Sequence, residues 1–148
     1  MSEVTPLPRA TVLLADDHPV TAALLRQLVR ATFDVVGEVS DGYALVEAAE
    51  RLKPDVIVTD IAMPGLDGIE AARRILAMNA AARIVFVTVH TESAVVQQAL
   101  ATGARAYVVK SVAADGLVPA IRSALRGGRP VTSIAADETP RGSDDGAT

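Results

Sequence analysis

Four short apolar runs in this sequence end on polar side chains that could act together. Val12-Leu13-Leu14-Ala15 leads into Asp16-Asp17, Val56-Ile57-Val58-Thr59 into Asp60, Ile84-Val85-Phe86-Val87 into Thr88, and Tyr107-Val108-Val109 into Lys110. Each residue alone says little. An Asp at a strand end is commonly a turn or helix-cap residue, and a Thr there satisfies β propensity. Lys110 is more telling, because the chain has only two lysines against twelve arginines, and Lys53 sits beside Pro54 at the end of a helical stretch. Gathered in one place, the set poses an electrostatic problem. Two carboxylates about 5 Å apart repel by roughly 3 kcal/mol at an effective dielectric near 20, and three mutual pairs approach roughly 10 kcal/mol. A single ammonium does not offset that. A divalent cation does, and carboxylates with water favour Mg2+ over softer metals. The alternative is that the acids lie farther apart and solvated, with one of them protonated.

The set works only if the runs are strands whose carboxyl ends share one edge. Short β-branched runs at 11–16, 34–39, 56–60, 83–89 and 106–110 alternate with helical patterns at 19–31, 43–52, 68–78, 92–102 and 113–126. Strict alternation of this kind predicts a doubly wound α/β fold with a five-stranded parallel sheet and right-handed crossovers. The expected order is the flavodoxin-like 2-1-3-4-5, in which ligands bind outside the carboxyl ends of the strands. The punctuation agrees. Pro19 suits a first helical turn, Asp67 with Glu70 resembles a capping box, and Gly103 suits a left-handed helix end. Pro119 falls inside the last helical pattern and predicts a kink near residues 115–119 or a late, irregular start.

Composition excludes other classes. With 148 residues, half of them hydrophobic, the chain can bury one domain's core. The absence of cysteine excludes disulfides, thiol catalysis and cysteine-bound metals, and two histidines, His18 and His90, exclude a histidine-rich site. Net charge is −4, the wrong sign for a dedicated nucleic-acid binder, and neither a P-loop nor a G-x-G-x-x-G follows the first strand. No signal-like or membrane-spanning apolar run is present, so a soluble, cytoplasmic protein with no membrane partner is expected. Residues 1–10 read as a flexible N-terminus and 11–128 as the domain. Residues 129–148 read as a disordered polar and acidic tail, with four acids in 130–148 against Arg141.

Asp16-Asp17, Asp60 in Asp60-Ile61-Ala62-Met63-Pro64-Gly65-Leu66-Asp67-Gly68, Thr88, and Tyr107 three before Lys110 together resemble the receiver domain of two-component response regulators. The likeness spans roughly residues 11–128. Asp16-Asp17-His18-Pro19 and the closing Ile121-Arg122-Ser123-Ala124-Leu125-Arg126-Gly127-Gly128 resemble the subfamily that usually carries a C-terminal LuxR-type helix-turn-helix. A polar tail of twenty residues cannot form that domain, so a stand-alone receiver or a piece of a longer regulator is expected, without direct nucleic-acid binding by this chain.

The resemblance implies that Asp60 accepts a phosphoryl group from a sensor histidine kinase. It assigns Mg2+ to Asp17, Asp60 and the Ala62 carbonyl, with Asp16 acting through water, and the phosphoryl oxygens to Thr88 and Lys110. Such a domain is a signalling switch and no enzyme beyond its own phosphorylation and dephosphorylation. Charged hydrogen bonds from Thr88 and Lys110 would contribute about 1.5–3 kcal/mol each, comparable with the roughly 5.5 kcal/mol that carries a 1:99 equilibrium to 99:1. Thr88 drawn inward would let Tyr107 rotate in, changing the face formed by the fourth helix, fifth strand and fifth helix for a downstream protein partner or a homodimer. Taken without the family, Tyr107 reads as a half-buried packing residue and His90 as a solvated loop residue near the site mouth.

Two departures from the family pattern and two rival readings bear on this assignment. Ser111 stands where many receivers have proline, so a cis Lys110–Ser111 bond, costing about 3–4 kcal/mol, would mark strain. Val89 is bulkier than the alanine or glycine often found after the threonine, which predicts restricted access and slow phosphate loss. An Asp-nucleophile phosphohydrolase needs an acid two residues after the nucleophile, where this chain has Ala62. A scaffold that keeps the fold without phosphorylation is the other alternative, and no missing active-site side chain favours it.

Overall fold

The computed structural model describes residues 9–127 and 129–133. Its elements run β1 (Thr11–Ala15), α1 (Pro19–Arg30), β2 (Asp34–Val39), α2 (Gly42–Leu52), β3 (Val56–Thr59), α3 (Gly68–Met78), β4 (Ile84–Thr88), α4 (Ser93–Ala101), β5 (Ala106–Val109), a 3-10 turn (Lys110–Val112), α5 (Ala113–Arg126) and β6 (Val131–Ser133). All strands pair in parallel in the order β2-β1-β3-β4-β5-β6. β3, β4 and β5 are buried along their whole length, as strands covered on both faces must be. Side-chain alternation splits β1 between two cores. Leu13 and Ala15 pack with Leu45, Ile69, Ile75 and Ala99 from α2, α3 and α4. Val12 and Leu14 pack with Leu25 and Val29 of α1 and with Leu117 and Ile121 of α5.

Local chemistry fixes the helix ends. Pro19 opens α1, the Asp67 carboxylate accepts from the Glu70 amide at 2.8 Å to cap α3, and Gly103, at φ 101°, follows the end of α4. Four expected strands stop one residue earlier than the sequence suggested, so Asp16 and Asp60 begin loops, Lys110 opens the 3-10 turn, and Thr88 closes β4.

Two expectations are corrected. The sheet has six strands, because Gly127 at φ 73° turns the chain after α5 and lets Val131–Ser133 pair with residues 106–108 of β5. Part of the segment expected to be an unstructured tail is thus ordered, and Val131 packs against the α1–α5 core. The rest of the expected tail, residues 134–148, together with residues 1–8 and Gly128, lies outside the described residues. The late start expected for the last helix is also overturned, since α5 runs unbroken from Ala113 through Pro119. Pro119 and the residue four before it, Asp115, both lie on the exposed face, where water can serve the carbonyl that loses its amide partner. Every peptide bond among the described residues is trans, Lys110–Ser111 included. No helix among them is long and apolar enough to cross a membrane.

Candidate functional site

Strand register brings the acids together. Ala15 pairs with Thr59, and the Asp60 amide donates to the Ala15 carbonyl at 2.9 Å, so the residues after β1 and β3 leave the sheet side by side. The chain crosses from β1 to opposite sides of the sheet at this point, which opens a crevice above the strand ends. Asp16 and Asp60 are buried, with side chains 1% and 3% exposed. The Ile61 amide donates to Asp60 Oδ1 at 2.6 Å and the His18 amide to Asp16 Oδ1 at 2.9 Å, which fixes both carboxylates in rotation.

Lys110 enters from the end of β5. Its Nζ donates to Asp60 Oδ2 at 2.7 Å and lies 3.0 Å from Asp16 Oδ2. Burial pulls this ammonium's pKa down, but its contacts with Asp60 and Asp16 and their charges outweigh that and hold it above 10.5. One ammonium is therefore shared by two carboxylates, with the third, Asp17, clustered beside them. Asp16 Oδ2 and Asp17 Oδ1 are buried without a well-directed hydrogen bond. Carboxylate oxygens left short of positive charge and of donors are what a hard divalent cation requires, so the residues present fit such an ion. One ligand atom from each of Asp16, Asp17, His18 and Asp60 can be chosen so that all four lie within 4.8 Å of one another.

Residues 12–122 match the family described as the response regulator receiver domain. The chain belongs to that family. Among curated relatives, it is 36% identical over 128 residues to the transcriptional regulatory protein PdtaR of Mycobacterium tuberculosis, covering 86% of this chain and 62% of PdtaR. It is 38% identical over 120 residues to the nitrate/nitrite response regulator NarL of Escherichia coli, covering 80% of this chain and 56% of NarL. It thus spans about six-tenths of the length of these relatives. Among solved structures, a LuxR-family two-component response regulator from Aurantimonas superposes with a TM-score of 0.79 at 38% identity, covering 84% of this chain and 90% of that one. The isolated receiver domain of RcsB from Salmonella enterica serovar Typhimurium, solved in the presence of the phosphomimetic BeF3-, superposes with a TM-score of 0.76 at 29% identity, covering 84% and 93%.

The remaining side chains of this receiver domain take two kinds of position. Thr88 is fully buried at the end of β4, and its Oγ1 accepts from the His90 amide at 3.4 Å. Tyr107 is fully buried as well, deeper than a half-buried packing residue, with its ring tilted against Phe86 at 6.4 Å. Its hydroxyl donates to the His90 carbonyl at 2.9 Å. Burial, aided by the charges of Glu92 and Asp60, pushes this phenol up to about 12, so it stays a donor at neutral pH. Ala62 is exposed two residues past Asp60, and Val89 is 67% exposed.

Reasoning from sequence missed two contributions. The His18 imidazole stands among the acids, with Nδ1 3.3 Å from Asp16 Oδ1, 3.2 Å from Asp17 Oδ1 and 3.9 Å from Asp60 Oδ2. Its one signal was its place directly after Asp16-Asp17. His90 acts through its backbone, joining Thr88 to Tyr107, which its side-chain type does not announce.

Proposed function

We propose that this domain is a phosphorylation-dependent signalling switch in which Asp60 accepts a phosphoryl group from the phosphohistidine of a sensor histidine kinase. The observation that carries the reading is the clustering of Asp16, Asp17 and Asp60 at the strand ends, with Lys110 shared between Asp16 and Asp60. Asp17, Asp60 and the Ala62 carbonyl would hold Mg2+, with Asp16 acting through water. When bound, Mg2+ neutralises the carboxylates and the phosphoryl oxygens. The Asp60 carboxylate attacks phosphorus, the bond from phosphorus to the donor nitrogen breaks, and its electron pair leaves with the imidazole. Such a transfer needs positioning and charge neutralisation more than proton transfer, and the Ile61 amide already fixes the carboxylate in rotation. Lys110 then shifts its contact from the Asp60 carboxylate to a phosphoryl oxygen.

The output follows from the loop after β4. A Thr88 hydroxyl drawn towards the phosphoryl group gives up its hydrogen bond from the His90 amide, and the His90 carbonyl is the acceptor for Tyr107. Because Tyr107 is already inside, the change we propose is transmitted by the backbone of His90 rather than begun by an outward ring. The surface of α4, β5 and α5 would meet a downstream protein partner or a second copy, with β6 lying along the β5 edge of that surface. The similar RcsB receiver domain, solved in the presence of the phosphomimetic BeF3-, supports this reading.

The test is incubation with acetyl phosphate and Mg2+ followed by intact mass measurement. Wild type gains one phosphoryl group and Asp60→Asn gains none; equal labelling of both removes Asp60 as the acceptor. Val89 bears on the lifetime of the product. Its exposed side chain adds bulk beside Thr88, so Val89→Ala is expected to lose the phosphoryl group faster than wild type in a decay assay after desalting. An unchanged decay rate would show that Val89 does not limit water access.

A further inference from the structure

We propose that His18 Nδ1 is a direct ligand of the divalent ion held among Asp16, Asp17 and Asp60, and that this nitrogen biases the site towards first-row transition ions relative to Mg2+. The inference rests on the preceding reading only for the existence of an ion site.

Three observations carry it. First, His18 Nδ1 lies 3.2 Å from Asp17 Oδ1 and 3.3 Å from Asp16 Oδ1. Neighbouring ligands of an octahedral ion with bonds of about 2.1 Å are about 3 Å apart, so His18 Nδ1 and Asp17 Oδ1 already have the spacing of adjacent ligands, with Asp16 reached through water as above. Second, no capping role accounts for the ring. His18 is the N-cap of α1, a position that favours Ser, Thr, Asp or Asn, yet its side chain makes no capping hydrogen bond. Third, the carboxylates outnumber the cations beside them. Asp16 Oδ2 shares the Lys110 ammonium with Asp60 Oδ2, and Asp17 Oδ1 has the His18 ring itself at 3.2 Å. That ring is 60% exposed, so it can move the small distance that coordination requires.

The chemistry follows from the donor set. Oxygen-only sites suit Mg2+, whereas imidazole adds affinity along the series from Mn2+ to Cu2+. A ring that merely donates a hydrogen bond to the carboxylates behaves in the opposite way. It competes with any incoming cation, so its removal would tighten Mg2+ and Co2+ binding alike.

The experiment uses the full chain in three forms: wild type, His18→Ala, and His18→Asn, which supplies a favourable N-cap without an imidazole. Pulsed electron paramagnetic resonance of bound Mn2+ reads the ligand atoms, and calorimetric titration with Mg2+ and Co2+ reads selectivity. Wild type is expected to show nitrogen coupling to Mn2+ that both variants lack. Co2+ affinity should fall about tenfold in the variants while Mg2+ affinity changes by less than about threefold. A wild-type Mn2+ spectrum without nitrogen coupling, or equal changes in the two affinities, overturns the role of His18 and leaves the phosphoacceptor reading standing. Failure of wild type to bind any of these ions removes the cation site and both readings with it.

Discussion

Lys110→Met is expected to destabilise the protein by about 3–5 kcal/mol in the absence of divalent ions, the range seen when one partner of a buried ion pair is removed. The methionine fills similar space, so the loss is electrostatic rather than a cavity. It leaves the nearly buried Asp16 and Asp60 carboxylates without the ammonium that sits 3.0 and 2.7 Å away. Urea unfolding in the presence of a chelator measures this. The sign with pH is fixed as well. A group whose pKa is raised on folding stabilises fully below its ordinary value, here 10.5, and that contribution fades only as pH climbs through the higher folded value. The gap between wild type and variant should therefore be flat between about pH 7 and 9. Magnesium should raise the midpoint of the variant more than that of wild type, because an ion that binds only the folded state restores part of the missing positive charge. A variant as stable as wild type in chelator would mean that the carboxylates do not depend on Lys110.

The contrast between Lys110 and His18 shows where sequence reading succeeds and where it stops. The polar residues at strand ends could be read because a parallel sheet aligns those ends by itself. Once four apolar runs are adjacent strands, Asp16, Asp60, Thr88 and Lys110 share an edge whatever their rotamers. The orientation of His18 has no such guarantee, since it depends on extended backbone at the N-cap, φ −96° and ψ 111°, which residue type does not specify. The link from Thr88 through His90 to Tyr107 runs through backbone atoms, and backbone partners carry no residue signature. β6 escaped for another reason. Three residues are too few for an apolar alternation to register, and their pairing depends on a vacant β5 edge and on the left-handed turn at Gly127. The uninterrupted α5 shows tertiary context overriding a local rule, because Pro119 falls on the solvent side of a helix whose other face is anchored by Leu117, Ala120, Ile121 and Ala124.

Gly68→Ala is expected to cost about 3 kcal/mol or more, well above an ordinary glycine replacement, and to impair phosphorylation at the same time. A methyl group at this position would lie 2.0 Å from the Asp60 carbonyl oxygen and 3.0 Å from the Ile61 Cα. Both are backbone atoms, so no side chain can swing aside and the loop itself must shift. That loop is closed by the Gly68 amide donating to the Ile61 carbonyl at 2.7 Å, while the adjacent Ile61 amide holds the Asp60 carboxylate at 2.6 Å. Moving one end thus moves the group proposed to accept phosphate. Gly116→Ala is the matched control. Its added methyl would meet Ser133 at 3.5 Å and Val108 Cγ1 at 3.7 Å, ordinary contacts, and inside a helix such as α5 replacing glycine by alanine stabilises by roughly 0.5–1 kcal/mol. Thermal unfolding should therefore move in opposite directions for the two variants, with slower acetyl phosphate labelling in Gly68→Ala alone. Wild-type stability and labelling in Gly68→Ala would show that the loop yields freely, and that the close approach at Gly68 does not position Asp60.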